Sequence, residues 1–129
     1  MKIISWNVNG IRACQKKGLV PWMVASGADC LCFQETKAHR EQLDDELLAV
    51  ADYKPIFASA EKKGYSGVAT YYRQEPLSVS LLGAPEFDCE GRTLICEYED
   101  FYLLNCYFPN SQDGGARLDY KLAFCEAAL

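Results

Sequence analysis

Residues 2–35 have the sequence KIISWNVNGIRACQKKGLVPWMVASGADCLCFQE, and the fold class depends on this segment. An apolar run over residues 2–6 predicts a strand, and residues 30–33 predict a second strand that is buried. Between these two strands, the pattern predicts a helix that starts near Val20 and ends at Gly27. The segment is therefore typical of a strand–helix–strand arrangement.

The rest of the chain is richer in strands than in helices. An amphipathic helix is predicted over residues 40–51, because Leu43, Leu47, Leu48 and Ala51 share one face. A further helix is predicted from Leu118 onward. The remaining segments are rich in aromatic and branched residues and predict strands at 54–60, 68–72, 77–82, 93–98 and 101–108. Loops are predicted at 61–66 and 109–115. Alternation of strands and helices early in the chain, followed by a run of strands, indicates a mixed α/β layered domain.

The composition fits one modest globular domain. The chain has 129 residues, of which 50% are hydrophobic and 24% are charged. It has neither an apolar run long enough to span a membrane nor a pattern typical of a signal peptide, so we expect no membrane partner. The formal net charge of −5 argues weakly against binding to nucleic acid. It does not exclude such binding, because the position of the cations matters more than their sum.

The seven cysteines are scattered along the chain. Cys30 and Cys32 are too close together for the usual zinc-knuckle spacing. Cys32, Cys96 and Cys106 lie inside apolar runs, where cysteine behaves as a small hydrophobic residue. We therefore expect a reducing compartment, the cytoplasm.

Three polar residues stand at the ends of predicted strands and are candidates for a functional site. Asn7 offers an amide oxygen and Glu35 a carboxylate, and hard cations such as magnesium prefer oxygen ligands. Tyr107 offers a phenol that can hydrogen-bond a phosphate. Each residue type is also common in purely structural roles, as a turn former, a helix start or a core tyrosine. The residues by themselves leave both interpretations open.

Six motifs resemble those of the exonuclease III family of abasic-site endonucleases, in the endonuclease/exonuclease/phosphatase superfamily. In chain order they are residues 3–13 (IISWNVNGIRA), 31–37 (LCFQETK), 64–69 (GYSGVA), 90–92 (EGR), 105–110 (NCYFPN) and 117–121 (RLDYK). They occur in the family's order and cover the chain from end to end.

The resemblance implies a role for each candidate residue. Asn7 and Glu35 match metal-site positions, with magnesium as the expected ion and manganese as the alternative, and Tyr107 matches an active-site tyrosine. The positions that match residues near the DNA are Arg12, Tyr65, Arg92, Asn110 and Arg117. Contacts from such residues to phosphate position a duplex without reading its sequence. Asp113 departs from the family pattern, because some members carry a basic residue there. The pairs Lys16-Lys17 and Lys62-Lys63 fit either a DNA backbone or a solvated surface.

The resemblance also implies a fold, a four-layer α/β sandwich of two facing, mostly antiparallel mixed sheets flanked by helices. Residues 1–129 are expected to form the N-terminal half of this sandwich, roughly its first sheet and the helices on it. The family's later Gly-Asp-Phe-Asn and Ser-Asp-His motifs do not occur, and the single histidine, His39, is expected to be a solvated loop residue. The helix from Leu118 carries no stop signal, which indicates either a truncated chain or a natural C-terminal helix.

The activity implied by the resemblance is metal-dependent hydrolysis of DNA 5′ to abasic sites, together with trimming of 3′ ends. The expected partner is double-stranded DNA with abasic sites or 3′ ends. We expect the chain alone to be inactive, because only part of the family's site is present. The alternatives are another phosphodiesterase or a phosphatase of the same superfamily, and a non-catalytic accessory module.

Overall fold

A computed structural model describes residues 1–109 and 117–128 of the chain. Its first sheet contains β1 (Ile3–Asn7), β2 (Cys30–Gln34), β3 (Lys54–Ala58) and β4 (Val68–Tyr72), in the order β1-β2-β4-β3. β1 and β2 are parallel, whereas β4 is antiparallel to both of its neighbours. A parallel pair needs a crossover, and the helices α1 (Ile11–Lys16) and α2 (Leu19–Ala25) provide it.

A second, antiparallel sheet packs on the first. It contains β5 (Ser78–Ser80), β6 (Thr93–Glu97) and β7 (Tyr102–Cys106), in that order. The side chain of Asn105 on β7 donates hydrogen bonds to the carbonyl oxygens of Phe33 and Ala69 in the first sheet. The expectation that the chain covers roughly one sheet is therefore wrong, because the described residues contribute strands to two packed sheets.

The core has two parts, one on each face of the first sheet. Strand β2 is buried on both faces, as is typical of strands between two layers. Leu31 and Phe33 point toward the helices, where they join the larger apolar cluster. Cys30 joins a smaller cluster with Cys96 of the second sheet. The alternation of side chains along β2 thus ties three layers together.

The predicted helix over residues 40–51 is wrong. The chain forms a short 3₁₀ helix at Arg40–Gln42, an extended residue at Leu43 and the four-residue helix α3 (Asp45–Leu48). Asp44 explains the break, because its side chain accepts a hydrogen bond from the backbone N–H of Leu47 and so starts a new helix.

Other segments agree more closely with the sequence-based predictions. Strand β4 has the predicted bounds, and the other strands lie inside or within a residue of theirs. The helix predicted from Leu118 is α5 (Leu118–Ala128). Helices α1 and α4 (Pro85–Asp88) were not predicted. Most of the loop predicted at 109–115 lies outside the described residues. Within the described part of the chain, no helix combines the length and apolar character that a membrane span requires.

Candidate functional site

Asn7 and Glu35 lie at the same rim of the first sheet. Asn7 is the last residue of β1 and stands opposite Gln34 in the parallel pair, and Glu35 follows directly. The amide oxygen Oδ1 of Asn7 accepts a hydrogen bond from the backbone N–H of Asn9 at 3.0 Å. The carbonyl of Glu35 accepts one from the N–H of Gly10 at 2.7 Å. The carboxyl ends of adjacent parallel strands lie at one edge of a sheet, so the pairing of β1 with β2 places both residues on the same rim. The two local hydrogen bonds then fix the backbone there.

Tyr107 reaches this rim from the second sheet. Tyr107 is the first residue after β7, and its hydroxyl donates a hydrogen bond to Oε1 of Glu35 at 2.6 Å. Burial raises the pKa of Tyr107 to about 12, and the hydrogen bond and negative charge of Glu35 add to this effect. The phenol therefore stays protonated near neutral pH and acts as a hydrogen-bond donor. Residues predicted from three distant segments thus converge in one place.

Lys37 also belongs to the rim, although no role was predicted for it. Its Nζ lies 3.5 Å from Oε2 of Glu35 and donates a hydrogen bond to Oδ1 of Asn9 at 2.7 Å. Its place two residues after Glu35 is the signal that could have identified it. The carboxylate of Glu35 therefore has a phenol on one oxygen and an ammonium near the other.

Asn7 and Glu35 are the side chains at the rim that could hold a metal ion. The donor set is one carboxylate and one amide oxygen, and no cluster of three or more His, Cys, Asp or Glu residues suited to a metal occurs among the described residues. Oxygen donors suit Mg²⁺, which commonly keeps several waters and takes only one or two protein carboxylates. The side chain of Glu35 is 20% exposed, so such an ion could approach it.

Arg92, Tyr65, Glu90 and Arg117 form a second cluster, which adjoins Tyr107. Glu90 accepts hydrogen bonds from the Tyr65 hydroxyl at 2.8 Å and from Nη2 of Arg92 at 2.9 Å. It also accepts two from Arg117, at 3.2 and 2.9 Å. Both guanidinium groups donate to the hydroxyl of Tyr65 as well. Glu90 belongs to one of the six motifs, but its role could not be predicted, since no local pattern shows that these four residues share one cluster.

Arg92 does not have the surroundings expected of a DNA contact. The residue is only 2% exposed, and Nη1 donates to the carbonyl oxygen of Tyr107 at 3.1 Å. A guanidinium engaged in this way is not presented to a phosphate backbone. In the structure, Arg92 contacts Tyr107 and Glu90, and the DNA contact expected for it stays a prediction. Arg117 is more accessible, with a side chain 27% exposed.

A cationic groove lies beside the rim. Arg12, Lys16, Lys17 and Lys37 line it together with one carboxylate, that of Asp44, and the first three cations are exposed residues. Of the two lysine pairs, Lys16-Lys17 thus lies in this groove, next to the other cations. Tyr65, in contrast, is half-buried and lies in the Glu90 cluster.

In the other lysine pair, Lys62 packs over the ring of Tyr65, with its Nζ 5.3 Å from the ring centroid. The remaining predicted DNA contact, Asn110, lies outside the described residues, as does Asp113.

Comparison with known proteins identifies the family. The Endonuclease/Exonuclease/phosphatase family matches residues 4–125. An exodeoxyribonuclease of Bacillus subtilis (strain 168) is 43% identical over 131 residues, which cover 100% of this chain and 51% of that protein. The DNA repair nuclease APEX1 of Danio rerio is 42% identical over 124 residues, covering 94% of this chain and 40% of that protein.

Solved structures give the same result. The catalytic domain of Xenopus laevis APE2 superposes with a TM-score of 0.82 at 31% identity, over 99% of this chain and 52% of that chain. The AP endonuclease LMAP of Leishmania major superposes with a TM-score of 0.80 at 30% identity, over 98% and 46%. The chain spans about half the length of the relatives it matches. Because the family match extends over nearly the whole chain, the protein belongs to the endonuclease/exonuclease/phosphatase family.

Proposed function

We propose that the chain is part of a metal-dependent DNA-repair nuclease that cuts 5′ to abasic sites and trims 3′ ends. The observation that carries this proposal is the convergence of Asn7, Glu35 and Tyr107 on one rim, with a 2.6 Å hydrogen bond between the last two. The names of two relatives, an exodeoxyribonuclease and a DNA repair nuclease, support the same class of reaction.

Asn7 and Glu35 would hold the metal, with magnesium as the proposed ion and manganese as the alternative. When bound, such a metal supplies Lewis-acid stabilisation of the charge that develops on the phosphate and its leaving oxygen. Tyr107 orients the carboxylate of Glu35 by donating a hydrogen bond to its Oε1. Its neutral phenol adds no negative charge next to a phosphate.

The cationic groove would bind the DNA backbone. Arg12, Lys16 and Lys17 are exposed and adjacent, and neutralising phosphates with such side chains supplies most of the sequence-independent affinity. Arg117, with a partly exposed guanidinium, would add a phosphate contact at the other side of the rim. Because of the family resemblance, we also propose Tyr65 and Asn110 as DNA contacts. The proposed partner is double-stranded DNA with abasic sites or 3′ ends.

We also propose that the protein works in a reducing compartment, the cytoplasm. All seven cysteines are free thiols, and three of them, Cys30, Cys32 and Cys96, are buried. Burial raises the pKa of Cys32 to about 12, so this thiol is a poor nucleophile and an unreactive part of the core.

The experiment uses the full-length gene product and a labelled duplex with one abasic-site analogue. We expect magnesium-dependent nicking on the 5′ side of the analogue. Glu35→Gln should lower the turnover rate about 10²-fold, because it removes a charge that acts mainly on the transition state. Its affinity for the duplex, measured with a chelator present, should stay close to that of the wild type.

Glu41→Gln is the matched control, because Glu41 is an exposed carboxylate in the short 3₁₀ helix that follows the rim. The control should nick at the wild-type rate. Release of phosphate from a 3′-phosphorylated duplex without nicking would identify a phosphatase instead. Binding without either reaction would identify an accessory module, and normal nicking by Glu35→Gln would refute the metal-binding role.

A further inference from the structure

We propose that Glu90 is a positioning residue for the Tyr107–Glu35 pair and that it acts through Arg92. This inference rests on the proposed function, in which Glu35 and Tyr107 form part of the active site. It adds a residue from a separate segment of the chain, the loop after α4, whose contacts determine how the active-site side chains are held.

Glu90 is the common hydrogen-bond acceptor for the other three residues of its cluster. Its two carboxylate oxygens accept from the Tyr65 hydroxyl, from Arg92 and from both terminal nitrogens of Arg117, at 2.8 to 3.2 Å. The side chain of Glu90 is 19% exposed and that of Arg92 only 3%. A charge pair this well shielded from water has a well-defined geometry, because bulk solvent does not compete for its hydrogen bonds.

Arg92 connects Glu90 to Tyr107 by three direct contacts. Nη1 of Arg92 donates to the carbonyl oxygen of Tyr107 at 3.1 Å, and the N–H of Tyr107 donates to the carbonyl of Arg92 at 2.8 Å. The guanidinium carbon lies 5.1 Å from the centroid of the Tyr107 ring. The hydroxyl of the same ring then donates to Glu35. The path from Glu90 to Glu35 is therefore continuous through two residues.

Neutralising Glu90 should disturb this path without removing any group from the active site. Arg92 would remain buried as a cation without its carboxylate, which is costly, so its guanidinium should move toward water. Tyr107 would lose the contacts that fix its ring. Arg117 would at the same time lose its ion pair and become more available to a phosphate. Turnover should therefore fall while the affinity for DNA stays the same or increases.

The test compares Glu90→Gln, Glu90→Asp and Glu86→Gln in the full-length gene product. Glu86 is an exposed carboxylate four residues earlier, on α4, and is the matched control. Each protein is labelled with 3-fluorotyrosine, and Tyr107→Phe assigns the fluorine resonance of Tyr107. Turnover of the abasic duplex, DNA affinity with a chelator present and thermal unfolding are measured on the same samples.

We expect Glu90→Gln to shift the resonance of Tyr107 and to lower kcat roughly 10–100-fold, the range typical of residues that orient a metal ligand. DNA affinity should not weaken. Glu90→Asp, which keeps the charge on a shorter side chain, should restore part of kcat. Glu86→Gln should match the wild type in every measurement.

Two results would overturn the inference. One is an unshifted Tyr107 resonance in folded Glu90→Gln, and the other is a loss of DNA affinity as large as the loss of kcat. If Glu90→Gln is unfolded at the assay temperature, Glu90→Asp decides, and wild-type values for both its resonance and its kcat would refute the role. A wild-type protein that does not nick DNA would contradict the proposed function, whereas the resonance would still test Glu90.

Discussion

Glu35 and its neighbours on the rim have backbones that non-glycine residues seldom adopt. The φ angles are 48° at Asn9, 57° at Glu35, 53° at Lys37 and 53° at Ser66. Such left-handed residues cost on the order of 1–2 kcal/mol each. Backbone hydrogen bonds oppose this strain, including the one from the N–H of Lys37 to the carbonyl of Ser66 at 2.8 Å. Strained residues of this kind cluster at active sites, which agrees with the proposed role of the rim.

Glu90 should make the stability of the folded protein depend on pH in the acid range. Burial by itself raises the pKa of Glu90, but hydrogen bonds from Arg117, Arg92 and Tyr65 outweigh it and lower the pKa from 4.5 to about 2. The carboxylate therefore stabilises the fold fully above its unfolded pKa of 4.5. This contribution is lost as the pH falls from about 4.5 toward 2.

Urea unfolding at several pH values checks this expectation. Between about pH 5 and pH 3, the wild type should lose more unfolding free energy than Glu90→Gln does. Glu86→Gln, which changes an exposed carboxylate, should follow the wild-type curve. Parallel curves for the wild type and Glu90→Gln would contradict the assigned cause.

Among the elements, strand β7 is joined to the first sheet by the hydrogen bonds of one buried amide, that of Asn105. Asn105 is 1% exposed, and its Nδ2 donates to the carbonyl of Ala69 at 2.8 Å and to Oγ1 of Thr70 at 3.1 Å. Its Oδ1 accepts from Nε2 of Gln34 at 2.8 Å. Since Tyr107 lies two residues farther along the chain, the same amide helps to set where the phenol meets the rim.

Asn105→Leu should therefore destabilise the protein by about 2–4 kcal/mol, because it leaves buried polar groups of the first sheet without partners. The measurement is the free energy of unfolding from the denaturant midpoint. Leu104→Ala is the control on the same strand, where the side chain is 42% exposed and the cost should be smaller. Equal losses for the two variants would show that Asn105 is not a specific anchor.

At the scale of the whole molecule, the edge strands β1 and β7 line one groove together with α5. Within the described residues, β1 pairs only with β2 and β7 pairs only with β6. The groove between these edges is lined by apolar side chains, among them Ile3, Leu104 and Phe108, which are 40%, 42% and 50% exposed. Unpaired strand edges next to apolar surface favour association with other polypeptide chains.

We therefore expect residues 1–129, expressed by themselves, to self-associate. Sedimentation or size-exclusion measurements should give an apparent mass that exceeds the monomer and rises with concentration. Leu104→Lys on β7 should reduce this association, because an edge lysine opposes strand pairing. Leu77→Lys, at the other end of the second sheet and at a residue 70% exposed, is the control and should have little effect. A monomer at all concentrations, or equal effects of both variants, would refute this assignment.

The amino-acid sequence by itself determined the strands and the family. Residues 68–72 form β4 as predicted, and β2 differs by one residue, because short apolar runs between polar turns leave few alternatives to a buried strand. The ordered motifs also identified the rim residues Asn7, Glu35 and Tyr107. The positions of Asn7 and Glu35 could be predicted because they follow from local strand ends.

Only the tertiary structure decided which polar groups face one another. The arginines at 92 and 117 have the same chemistry in the sequence, yet one is buried against Tyr107 and the other is partly exposed. The role of Glu90 depends on contacts with residues up to 27 positions away, which no local pattern encodes. The break at Asp44 likewise shows a side-chain cap overriding an amphipathic repeat. Burial and long-range hydrogen bonds arise only when distant segments pack together. For this reason the sequence could name Arg92 and Arg117 as candidates but could not assign their contacts or the role of Glu90.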